Sequence, residues 1–113
     1  MPILNPDYSS LNHEEMSAAI GLKPKHIPML IASFLDESKT IMGSLESAID
    51  SKNYTEIKSF AHSIKGSAGN LKFNDMYEMA KEIELSAAAG DTSFDYKSYF
   101  DAIVKAIATI PAA

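Results

Sequence analysis

Apolar residues recur at helical spacing through almost the whole chain. No segment alternates with the two-residue period of a strand or carries a hairpin turn signal. Ile57, Phe60, Ala61, Ile64, Ala68 and Leu71 fall within about 40° of one direction when wound at about 100° per residue. The preceding segment repeats the pattern with Leu30, Ile31, Phe34, Leu35, Ile41, Met42, Leu45, Ala48 and Ile49, interrupted at Ser38. Met76, Met79, Ala80, Ile83 and Ala87 form a third stripe, and Phe100, Ile103, Val104 and Ile107 a fourth. Helices with one apolar stripe each bury it against one another. The expected fold is all-α: an antiparallel four-helix bundle with a short additional N-terminal helix.

Local signals punctuate the helices. Asn12 with Glu15 at the third helical position reads as a capping box, and Gly21 as the stop of a short first helix. A long helix starts between Pro24 and Pro28, because a proline fits only its first turn, and runs to about Ser51. Asn53 with Glu56 caps the next helix, which ends near Leu71. Asn74 is expected to cap the one after, and Gly90 to end it. The last helix is expected from about Phe94 to Ile110, with Pro111 beyond it. Residues 1–10 carry two prolines and no period, and are expected as an extended arm with Leu4 or Tyr8 packed on the body. The expected organisation is a single domain over 1–113, with a cap helix at about 12–21 and the bundle at about 25–110.

Composition narrows the functional classes. A net charge of −5 without a basic run argues against nucleic acid and against an anionic membrane surface. The absence of cysteine removes disulfides, thiol nucleophiles and cysteine metal sites. No apolar run approaches the ~18 residues of a membrane span, and the N-terminus lacks the basic and apolar regions of a signal peptide. A soluble cytoplasmic monomer is the expectation.

His62 lies about 140° from the buried stripe of its helix and so points to solvent. Lys58, Lys65, Gly66 and Gly69 lie on the same side. A glycine inside a helix costs roughly 1 kcal/mol relative to alanine, so two on one exposed face need a reason other than stability. Removing side chains around a histidine lets another surface approach the ring. A nearby ammonium suits a phosphoryl group, which carries about −1.5 to −2 charges. A neutral imidazole has a lone pair that can attack phosphorus. Lys65 is the expected phosphate neighbour, with Lys58 as the weaker version of the same idea. Ser59, Ser63 and Ser67 either hydrogen-bond the ring or are plain surface residues. Lys58, Ser59, Gly66 and Gly69 form the expected docking patch around the histidine.

The run Ala61-His62-Ser63-Ile64-Lys65-Gly66-Ser67-Ala68-Gly69-Asn70 resembles the histidine-containing phosphotransfer (HPt) family, and the resemblance extends over roughly residues 11–110. Many members of that family carry a glycine or small residue where this chain has Lys72. The resemblance implies the same bundle and phosphorylation of His62 at Nε2. The implied donor is a phosphoaspartate on a response-regulator receiver domain, fed by a hybrid sensor histidine kinase, and the phosphoryl group then passes to another receiver. It also implies that an apolar area near the histidine meets the receiver's first helix. Phosphoryl transfer needs a cation to spread charge. The chain has no clear Mg²⁺ site, so Mg²⁺ is expected on the receiver and no cofactor on this chain.

Other constellations are poor. No His-Glu-x-x-His or Glu-x-x-His spacing appears, and there is no phosphate-binding glycine loop. No autonomous kinase activity is therefore expected. His13 and His26 sit near helix starts, and Glu14, Glu15, Glu82 and Glu84 read as solvated carboxylates. Two alternatives to the shuttle remain: the phosphotransfer segment of a chemotaxis-type histidine kinase, and a receiver-binding adaptor that accepts no phosphate. A chain that starts at Met1 and stops soon after its last helix reads as free-standing.

Overall fold

The structure, a computed structural model, describes residues 4–111. The first three residues of the expected arm, and residues 112–113, lie outside that range. Every regular element among the described residues is helical: α1 (His13–Ile20), a 3₁₀ turn (Pro24–His26), α2 (Ile27–Asp50), α3 (Tyr54–Asn70), α4 (Asn74–Ala88) and α5 (Tyr96–Ala108).

The helix starts follow their caps. The Asn12 side chain accepts from Glu15 N at 3.1 Å, and the Asn53 side chain from Glu56 N at 3.2 Å. At α5 the cap is Asp95, which accepts from Ser98 N at 3.0 Å, so the helix begins two residues after the expected Phe94. Asn74 does not cap α4. It is the first helical residue, and Phe73 at the cap position has no side-chain oxygen to offer. The arm fills the gap: the Tyr8 hydroxyl accepts from Met76 N at 3.1 Å.

The exits of α1 to α4 share one device. Gly21, Lys52, Lys72 and Gly90 all take positive φ. After α2, α3 and α4 the residue beyond it bonds back to the helix: Asn53 N to Ala48 O, Phe73 N to Ala68 O and Asp91 N to Ser86 O. This is the Schellman pattern, which satisfies carbonyls left over at a helix end.

The stripes meet in one core. Ile31, Phe34, Leu45, Ile57, Ala61, Ile64, Ala68, Met76, Met79, Ala80, Ile83 and Ile103 are buried there. Helix α2 packs on α3, α3 on α4, α4 on α5, and α5 returns to α2, while α1 touches α2. The interruption at Ser38 is closed, because its side chain is buried with Oγ donating to Leu35 O at 3.2 Å. Val104 departs from the expected stripe of α5 and is 41 % exposed, since Ala102 and Ala106 let that helix sit close against the others. Leu4 is likewise exposed, whereas Tyr8 packs on the core and Pro6 beside it is buried. No helix among the described residues is long and apolar enough to cross a membrane.

Candidate functional site

The site begins with the register of α3. Its Asn53 cap fixes where the helix starts, and burial of Ile57, Ala61, Ile64 and Ala68 fixes its rotation. His62 then faces outward, and its side chain is 67 % exposed. Helix α4 doubles back along α3, and burial of Ile83 turns the next residue, Glu84, toward it.

Glu84 spans the two helices. Its Oε2 lies 2.8 Å from His62 Nδ1 and its Oε1 lies 2.6 Å from Lys65 Nζ. The Glu84 side chain is only 14 % exposed. Burial pushes its carboxyl up, but hydrogen bonds from Lys65 and His62 outweigh that and leave it below the ordinary carboxylate value. The same pair raises the Lys65 ammonium above its ordinary value. An ionised carboxylate only accepts hydrogen bonds, so the neutral imidazole carries its proton on Nδ1. The lone pair then lies on Nε2, on the other side of the ring. A carboxylate that fixes a histidine's tautomer also fixes its orientation.

Lys65 is therefore not an unengaged ammonium beside the ring. It is bound to Glu84 and stands 6.0 Å from the Tyr77 ring centroid. Lys58 is exposed and makes no ion pair among the described residues. With Thr55, Ser59, His62, Ser63 and Glu84 it lines an open hollow of about 520 Å³. The two glycines differ from each other. A Cβ on Gly66 would meet nothing within 4 Å, whereas one on Gly69 would stand 3.2 Å from Tyr77 Cδ2. Gly66 is open to an approaching surface. Gly69 lets Tyr77 of α4 pack against α3.

Glu84 is the residue that sequence reasoning missed. A signal existed: residues 62 and 84 lie equally far in sequence from residue 73, where the chain reverses. Two helices joined by so short a connection bring such positions level. Among the described residues no group of three or more His, Asp or Glu could hold a metal ion.

A buried stripe, an exposed histidine with Lys65 three residues on, and a glycine after it all lie within the stretch 29–109, which matches the Hpt domain family. The chain belongs to that family. The match covers α3, α4 and α5 whole and nearly all of α2, and leaves the arm and α1 outside. No curated protein and no solved structure matches the chain. Hpt domains serve histidine phosphotransfer in two-component signalling, where they work with receiver domains and kinases, and this chain has that role.

Proposed function

We propose that His62 is the phosphoacceptor of this Hpt domain and that the chain shuttles a phosphoryl group between receiver aspartates. One observation carries the reading: an acceptor-only carboxylate holds Nδ1 at 2.8 Å while the ring stays 67 % exposed. Nε2 of His62 attacks the phosphorus of a receiver's aspartyl phosphate. The Nε2–P bond forms as the acyl phosphate's P–O bond breaks, and the receiver's carboxylate leaves. The ring becomes cationic, and its Nδ1 proton stays against Glu84. In the return step a second receiver's aspartate attacks phosphorus. Because Nδ1 keeps its proton, the ring leaves as neutral imidazole and not as an imidazolate anion.

The receiver brings Mg²⁺ and its acidic pocket, and a hybrid sensor kinase supplies the phosphoryl group upstream. The short connections and the closed ring of contacts from α2 to α5 support an antiparallel four-helix bundle with α1 as its cap. Such a bundle suits a site whose work is positioning.

The test is labelling from a phosphorylated receiver, with His62→Gln beside the native chain. An acid-labile, base-stable phosphate on the native chain and none on the variant is the expected result. No label from any of several receivers, with the helical circular dichroism intact, would leave an adaptor instead.

A further inference from the structure

We infer that the two lysines beside His62 divide the work: Lys58 meets the phosphoryl group, and Lys65 positions the ring through Glu84. The inference rests on His62 being the acceptor. The two ring nitrogens face opposite sides of the imidazole, and Glu84 occupies the Nδ1 side. Lys65 is bound to the other oxygen of that carboxylate, at 2.6 Å, with its side chain only 21 % exposed. It belongs to the Nδ1 side. Drawing its ammonium across to Nε2 would strip a largely covered carboxylate of its cation, which is unfavourable.

Lys58 stands in the open hollow beside the ring, which the Glu84 carboxylate also lines, yet it is not bound to that carboxylate. Thr55, Ser59 and Ser63 complete the hollow. A phosphoryl group on Nε2 adds about −1.5 to −2 charges there. Lys58, with no competing carboxylate bound to it among the described residues, is the cation placed to offset them. Lys81 on α4 is exposed too, but does not line the hollow. Lys65 is thus a positioning residue: its pairing keeps Glu84 ionised and aimed, and Glu84 keeps the proton on Nδ1.

The test uses the chain phosphorylated chemically with phosphoramidate, so that no receiver docking enters. Phosphorus NMR then reads the second pKa of the phosphohistidine, and nitrogen NMR of the unphosphorylated chain reads the His62 tautomer. Lys58→Gln should raise the phosphoryl pKa by about half a unit and leave the tautomer unchanged. Lys65→Gln should leave the phosphoryl pKa in place and lower the Nδ1–H population. Lys81→Gln should change neither. A phosphoryl pKa that moves with Lys65→Gln and not with Lys58→Gln would overturn the division, as would a tautomer indifferent to Lys65. A native chain that takes no acid-labile phosphorus at His62 overturns the acceptor reading itself, and is recognised by the missing signal.

Discussion

Glu84 couples the chemistry of the site to the stability of the fold. Its folded pKa lies below the ordinary 4.5, so its ionised form stabilises the folded chain above that pH. The contribution is lost as pH falls through the folded value. The native chain should therefore lose denaturant resistance as pH falls below about 4.5 more steeply than Glu84→Gln. Parallel curves would remove Glu84 from the acid response. The two glycines make a sharper pair. Gly66→Ala meets nothing within 4 Å and should stabilise by about 0.5–1 kcal/mol. At Gly69 the added methyl presses on Tyr77 Cδ2 at 3.2 Å, so the same gain should be cancelled. Gly66→Leu should keep the fold but slow transfer from a receiver roughly 10- to 100-fold, because a partner held off the ring loses its in-line geometry. Transfer at the native rate would remove the clearance role of Gly66.

At the scale of helices, the stripes of α3 and α4 are legible because nearly every apolar position faces the core. Five of the six α3 stripe residues are buried and Phe60 is half-buried. His62 is legible for the same reason, as the polar residue opposite a clean stripe. What the sequence does not display is anything that depends on a partner distant along the chain. Glu84 looks like half of a solvated pair beside Glu82 until α4 is laid against α3. Asn74 looks like a cap until a tyrosine from the arm takes its place. Val104 looks like core because its size matches the pattern, yet the small Ala102 and Ala106 face inward instead. The helix exits divide in the same way. Gly21 and Gly90 announce their left-handed backbone, whereas Lys52 (φ 55°) and Lys72 (φ 62°) adopt it without a glycine. A left-handed residue with a Cβ costs roughly 1–2 kcal/mol, and glycine's extra unfolded-state freedom returns only part of that. Lys52→Gly should therefore stabilise by about 0.5–1 kcal/mol, read as a rise in denaturant midpoint at unchanged slope. A fall would mean the lysine side chain holds the turn.

Over the whole molecule, the arm ties together elements that the helix ring leaves at its margin. The Tyr8 ring lies 4.6 Å from that of Phe73, which meets Phe34 of α2 edge-on at 5.3 Å. The Tyr8 amide donates to Thr109 Oγ1 at 2.8 Å, just past the end of α5. Its hydroxyl accepts from Met76 N at the start of α4. One residue near the N-terminus thus joins α2, α4 and the exit of α5. Burial pushes the Tyr8 hydroxyl up from its ordinary value, so it stays protonated, and its oxygen still accepts the Met76 amide. Tyr8→Phe keeps the ring and deletes only that acceptor. It leaves the Met76 amide without its partner, which should cost about 1 kcal/mol and lower Tm by roughly 4–8 °C. Hydrogen exchange should speed up at Met76 more than at Ile83, which lies two turns further into α4. Glu84 sits near the other end of that helix, so phosphoryl transfer to His62 should be unchanged in the variant. A variant that keeps its Tm but transfers more slowly would show instead that the arm reaches the site through α4, and that the start of this helix sets the position of Glu84.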